Sequence, residues 1–395
     1  MPGVIDMCKT RGYAITSQAI ERERARTADD DSQLDISRMI ELCEFTLPEL
    51  GARDVKLRIL AASAEHNVKH AALGDIVDIV RAQGGRMFLG NSAIAEVTAV
   101  GHDVDADQIK VGDIVQTHCN AAQDRFGYPL RIWAFDAPGS VGWYSEEAVV
   151  ADWQVMRLPL ACGLSLWQLA ALPLRAPTAY HLWRRAVGIY RVKVPREQHA
   201  RLNVLSFGGG VGELFLMLAK AEGHAAYYCC GNGARLEALA RTGVRPINRD
   251  QYRGFAGTPH IHAFREHCRT LTGGDGMHIV CDMMRGSVFS AGLAVAAREG
   301  VNVSAGWQLG PHVGYNSALL SVKQITIDHT HYETIAGCKA ATELYGSAFV
   351  PGIHHEIYPF EDLPRCFQEM HRNTQSGIPI IQVAKQLPQL VESIA

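Results

Sequence analysis

At 395 residues, with 47% hydrophobic and 20% charged residues, the chain has the make-up of a globular protein with more than one core. Its 38 basic and 41 acidic side chains leave a net charge of −3, which gives no electrostatic reason for a nucleic-acid partner. No apolar run reaches membrane-spanning length and the N-terminal MPGVIDMCKTRGYAITSQ lacks the apolar centre of a secretory signal, so a cytoplasmic protein without membrane contact is expected.

In chain order, residues 17–36 carry ERERAR and then DDDS, too polar for a core face, and read as a surface helix or linker. From Val55 the texture turns to short β-branched runs closed by glycine or polar turns: VKLRILAASA, AIAEVTAVG and VGDIVQTH. Trp133 to Val150 reads as two further strands around the Pro138–Gly139 turn. After about residue 165 helix and strand alternate. Helices are predicted over Ser165–Ala171, Thr178–Val187, Glu213–Glu222, Ala234–Arg241, Ala263–Leu271 and Ser287–Ala297. Strands are predicted over Asn203–Phe207, Ala225–Cys230, His278–Asp282, Asn302–Gly306 and Gln324–Asp328. That alternation is the mark of a doubly wound parallel sheet. The tail returns to strand texture in IHHEIYPF, then a helix over Leu363–Asn373 and the strand IPIIQV.

Ten scattered cysteines without a CxxC pair give no disulfide framework or zinc ribbon, and seventeen histidines contain no HExxH, so no metal is expected. The most informative stretch is VLSFGGGVGELFLMLAKAEG, residues 204–223. An apolar run meets Gly208, Gly209, Gly210 and Gly212, and an amphipathic helix starts at once. Such a turn lets backbone approach a pyrophosphate, and the free N–H groups and dipole of the helix favour the anion. The rival is a tight turn without ligand. The second strand, AAYYCC, runs into Gly231–Asn232–Gly233–Ala234–Arg235 without an acid. A carboxylate there would take the ribose hydroxyls of NADH. Asn232 and Arg235 instead suit a 2′-phosphate, so NADPH is the expected cofactor. Ser206 occupies the first place of the glycine spacing.

The order of these pieces, with IKVGDIVQTHC, LPLRAPTAYHL, GDGMHIVCDMMRG and EGVNVSAG, resembles the medium-chain dehydrogenase/reductase superfamily. The resemblance implies an α/β fold: a GroES-like β-rich catalytic domain (1–172 and 333–395) around a Rossmann nucleotide-binding domain (173–332). Zinc members carry Gly-His-Glu where this chain has Gly90–Asn91–Ser92, and the four-cysteine lobe is absent, so a zinc-independent enzyme is expected. THCN, RIWAFDAP, PINRDQY and TIDHTHY resemble the crotonyl-CoA carboxylase/reductase branch. That branch implies NADPH, an acyl-CoA or acyl-carrier-protein substrate, CO2 as a second substrate in some members, and a homodimer or homotetramer. Hydride goes to the β-carbon of a 2-enoyl thioester, and the α-carbon enolate is trapped by CO2 or a proton.

By position, Phe135 and Asp136 match a phenylalanine–glutamate pair lining the CO2 pocket, and His331 matches the pocket histidine. His66, Asn67 or Val68 stands where an asparagine falls. Thr178–Ala179–Tyr180 matches the turn beside the nicotinamide. The expected cofactor contacts are therefore Thr178, Ser206, Gly208, Gly209, Gly210, Val211, Gly212, Asn232, Arg235 and Gly306, and the expected catalytic group is His331, Asp136, Phe135 and His66. On the predicted strand His329 and His331 face one side. Each catalytic candidate has a plainer alternative: a strand-end histidine, a turn carboxylate before Pro138, or packing for Phe135. The function stays open among an enoyl-thioester reductase, a repurposed biosynthetic member with other chemistry, and a catalytically silent binding partner.

Overall fold

Short β-branched runs separated by glycine and polar turns pair locally, and in the first third of the chain they build antiparallel sheet. The computed structural model describes residues 9–28, 30–74, 78–389 and 394. The chain divides into two units, Met1–Leu174 with His355–Ala395, and Arg175–His354. No helix among the described residues is long and apolar enough to cross a membrane.

In the first unit the main sheet runs in the order Val155–Arg157, Ile114–Thr117, Ala93–Val100, Asp54–Ser63, Ile378–Gln382 and His355–Pro359, with Glu147–Ala151 also pairing with Asp54–Ser63. Pairing of Ile380 with Ser63 brings the C-terminal segment into this sheet. Its core includes Leu57, Ile59, Trp143, Tyr144, Phe367 and Ile381. The β texture begins earlier than Val55. Lys9–Thr16 pairs with Ile40–Thr46 and Arg86–Phe88 in a second sheet. Gly12 permits it, because a methyl there would lie 2.9 Å from Ser145 Cβ. Ser17–Thr27 is a helix whose polar sequence hides one inward acid. Glu23 is buried, ion-paired with Arg26, and accepts the Asp35 N–H at 2.9 Å. Of the two strands expected over Trp133–Val150, only Glu147–Ala151 forms, because residues 133–139 turn back on Ile132.

The second unit holds six parallel strands: β1 (Asn203–Phe207), β2 (Ala225–Cys230), β3 (Arg245–Asn248), β4 (Met277–Asp282), β5 (Ala296–Ser304) and β6 (Thr326–His329). Their order is β3-β2-β1-β4-β5-β6, the doubly wound arrangement whose direction reverses between β1 and β4. Ligands of such sheets bind beyond the carboxyl ends of the strands at that reversal. The strand β3 escapes a propensity reading because it contains Pro246, tolerated here at the sheet edge. Residues 333–354, expected in the first unit, lie in the second. Two local ties keep them there: His181 Nδ1 is 2.9 Å from the Tyr332 carbonyl, and the Glu213 carboxylate accepts the Gly352 and Ile353 amides.

Candidate active site

The strand β1 ends at Phe207, and the chain reverses through Gly208 (φ +90°) and Gly210 (φ +64°) into the helix Val211–Ala221. Both angles lie where a side chain is strained, so the turn needs glycine. Gly212 is required for another reason: a methyl there would lie 2.3 Å from Ser206 Oγ, so helix and strand touch. Ser206 thus fixes packing beneath the turn. Val211 opens the helix, and no side chain caps it, which leaves its first amides to an anion. Two guanidiniums approach this turn. A methyl on Gly210 would lie 2.7 Å from Arg175 Nε, and one on Gly209 would lie 3.0 Å from Arg235 Nη1. Beneath them Glu213, 1% exposed, accepts the amides of Gly352 at 2.6 Å and Ile353 at 2.9 Å. Burial pushes its carboxyl above the ordinary range, against the pull of those amides and of Arg175 and Arg235. The donors at this turn suit a pyrophosphate. Arg175 and Glu213 are not among the residues expected from the sequence. The signal was a charge inside each of two apolar helix starts, LPLRAP and VGELFL.

At the end of β2 the structure revises one expectation. Asn232 Oδ1 accepts the Arg235 N–H at 3.1 Å and so caps the helix Gly233–Arg241. The Arg235 side chain reaches back to Gly209. An acid does stand here, from elsewhere in the chain. The Asp250 carboxylate lies against Gly231, where a methyl would meet Oδ1 at 2.6 Å and Oδ2 at 3.0 Å. Cys230 pairs with Asn248 across β2 and β3, which brings Asp250 to the spot.

On the other side of the reversal, Asp282 closes β4. Its Oδ1 accepts the N–H groups of Met284 at 2.9 Å and Arg285 at 3.0 Å. Burial raises this carboxyl and lowers the Arg285 guanidinium. Arg285, held at φ +63°, lies over the Phe289 ring at 4.9 Å and places Nη2 2.5 Å from His329 Nδ1. Burial, then the Arg285 charge, pushes the His329 proton affinity down. The strand β6 stops at His329 because β5 ends at Ser304; Thr330 makes the last bond, to the Ser304 carbonyl. His331 therefore lies in an exposed segment beyond the strand, not beside His329 on one face of it. Gly306 sits past β5, its amide bonded to Ser304 Oγ at 3.2 Å, with no room for a methyl against Met283. Thr178 is buried on the helix Leu172–Lys193.

The remaining candidates lie in the first unit. Asp136 Oδ1 accepts the Ile132 N–H at 2.5 Å and Oδ2 stands 3.8 Å from Arg131 Nη1, so its carboxylate closes its own turn. Phe135 packs, half-buried, against the main core. His66 precedes the helix Asn67–Leu73 without capping it. Next to it Asn67 Nδ2 donates to Asn91 Oδ1, and Asn91 Nδ2 donates to the Trp133 carbonyl at 2.5 Å. Ser92 Oγ donates to Glu65 Oε1 at 3.3 Å. His118 is fully buried, both ring nitrogens unbonded, and burial lowers its pKa to about 4. Zinc does not fit the Asn91–Ser92 position. Two amides bonded to each other and a hydroxyl bonded to Glu65 are not a zinc ligand set, and no group of three potential metal ligands occurs among the described residues.

Known proteins resemble this chain in sequence and in fold. The zinc-binding dehydrogenase family model matches residues 210–346, the greater part of the second unit. The crotonyl-CoA carboxylase/reductase of Cereibacter sphaeroides is 22% identical over 384 residues, covering 90% of this chain and 84% of that one. A crotonyl-CoA reductase of Streptomyces collinus is 23% identical, covering 87% and 81%. Among solved structures, the 2-octenoyl-CoA carboxylase reductase CinF, in complex with NADP and 2-octenoyl-CoA, superposes with a TM-score of 0.78 at 22% identity, over 99% of this chain and 91% of that one. The chain thus has the GroES-like and Rossmann fold of these proteins, and its second unit carries the zinc-binding dehydrogenase match. Over most of its length the chain is similar to crotonyl-CoA carboxylase/reductases.

Proposed function

We propose that the protein is an NADPH-dependent reductase of a 2-enoyl thioester. The observation that carries the reading is the glycine turn with Arg175 and Arg235 set against Gly210 and Gly209. NADPH, when bound, supplies the hydride to the substrate's β-carbon. The turn amides and the guanidiniums of Arg175 and Arg235 would hold its pyrophosphate by charge-assisted bonds. Glu213 anchors the segment 352–353 beneath the turn and keeps the turn's shape. Support for the substrate class comes from the relatives: crotonyl-CoA enzymes match nearly the whole chain, and CinF was solved with NADP and 2-octenoyl-CoA.

Hydride addition leaves an enolate at the α-carbon, which a proton or CO2 then traps. The commitment of Asp136 to the Ile132 amide favours the proton, because a carboxylate that closes its own turn is not available to orient CO2. His331, exposed past β6, is the candidate proton donor on the second unit. The test is NADPH oxidation with crotonyl-CoA and longer enoyl-CoAs, with and without bicarbonate. Oxidation independent of bicarbonate supports the reductase reading; bicarbonate dependence assigns carboxylation; NADPH binding without turnover on any enoyl thioester rejects this substrate class.

A further inference from the structure

In a doubly wound sheet the residue at the end of the second strand reads the adenosine ribose: a carboxylate takes the 2′- and 3′-hydroxyls, a cation takes a 2′-phosphate. In this chain that position is Gly231, and its neighbours supply both chemistries. The Asp250 carboxylate rests on Gly231 with both oxygens within about 3 Å of where a Cβ would stand, an approach that only glycine leaves open. Asp250 is exposed, and its N–H is tied to Asn248 Oδ1 at 2.9 Å, so its backbone is fixed while its carboxylate faces water. Arg249, the preceding residue, has Nε buried without a hydrogen-bond partner. It directly follows Asn248, which pairs with Cys230, so Arg249 stands beside the end of β2. The two residues that the sequence offered for this task are committed elsewhere, Asn232 to its helix cap and Arg235 toward Gly209.

We infer that Arg249 and Asp250 form the nucleotide selector of this chain, and that it admits both NADPH and NADH. Arg249 binds a 2′-phosphate, and Asp250 binds the 2′-hydroxyl when that phosphate is absent. The carboxylate repels the phosphate and holds the preference for NADPH low. A planar guanidinium with a vacant donor is suited to phosphate oxygens, and it balances the carboxylate one residue away. The inference rests on the nucleotide reading of the glycine turn.

The experiment titrates the whole chain with NADPH, NADH, 2′,5′-ADP and ADP, the last two carrying the adenosine end alone. Wild type, Asp250→Asn, Asp250→Ser and Arg249→Gln are compared by calorimetry, with thermal unfolding as a check on folding. Wild type is expected to bind both dinucleotides with affinities within about tenfold. Both Asp250 variants are expected to tighten NADPH and 2′,5′-ADP about fivefold and to weaken NADH about threefold. Arg249→Gln is expected to weaken NADPH and 2′,5′-ADP about tenfold and to leave NADH and ADP unchanged. A NADPH-to-NADH ratio that stays within twofold of wild type in the Asp250 variants overturns the inference while leaving the nucleotide site standing. Exclusive binding of NADPH by wild type also overturns it. Binding of neither dinucleotide rejects the nucleotide reading itself, and the selector with it.

Discussion

At the glycine turn of the second unit, helix amides and two guanidiniums are gathered around glycines that leave room for an anion. Around Asn91 in the first unit the polar side chains are bonded to each other: Asn67 to Asn91, Asn91 to Trp133, Ser92 to Glu65. Asp136, nearby in sequence to Trp133, is bonded to its own turn. One region is built to receive charge, the other has internalised its hydrogen bonds. Substitutions in the first region should therefore change ligand affinity, and substitutions in the second should change stability. The glycine turn keeps its donors open, while Asp136, expected at a CO2 pocket, is bonded into its own turn.

The sharpest way to break that contrast is Gly210→Ala, which puts a methyl 2.7 Å from Arg175 Nε at a φ of +64°. NADPH affinity is expected to fall about 100-fold, roughly 3 kcal/mol, in a calorimetric titration. Undiminished binding would place the nucleotide elsewhere. Next comes His118 in the first unit. Its folded pKa of about 4 lies below the ordinary 6.5, so the unfolded chain takes up a proton that the folded chain refuses. Stability is complete above that ordinary value and declines as pH falls toward 4. Urea unfolding at pH 5 should show about 2 kcal/mol less stability than at pH 7, and His118→Phe should remove most of that difference.

Arg175→Gln, at the turn, is expected to weaken NADPH about tenfold, with Tm nearly unchanged in the absence of nucleotide. The smallest effect falls on Asp136→Ala, which should lower unfolding free energy by about 1 kcal/mol while NADPH affinity stays within twofold. Should Asp136→Asn abolish enoyl-thioester reduction without touching stability, the contrast is wrong and Asp136 belongs to the chemistry.

Legibility in the sequence followed the range of the interactions. The glycine run is local: strand, turn and helix stand within one stretch of about twenty residues, and each was readable from pattern. The doubly wound sheet was readable for the same reason, apart from β3 with its internal proline. What escaped depended on partners far along the chain. Asp250 reaches Gly231 only because β2 and β3 pair in one register. His331 leaves the strand because β5, not β6, decides where pairing ends. The boundary near residue 354 depends on Glu213, whose amide partners no local pattern reveals.

That carboxylate has a consequence for how the protein is made. Glu213 belongs to the first turn of the helix that follows β1, yet its hydrogen-bond donors lie 139 and 140 residues further on. As the chain leaves the ribosome, β1, its glycine turn and this helix are available long before Gly352 and Ile353 appear. Until then a buried acid has no backbone amides to meet it, and the helix cannot settle against its sheet at full stability. The glycine turn is therefore one of the first parts of the second unit to be synthesised and one of the last to be completed.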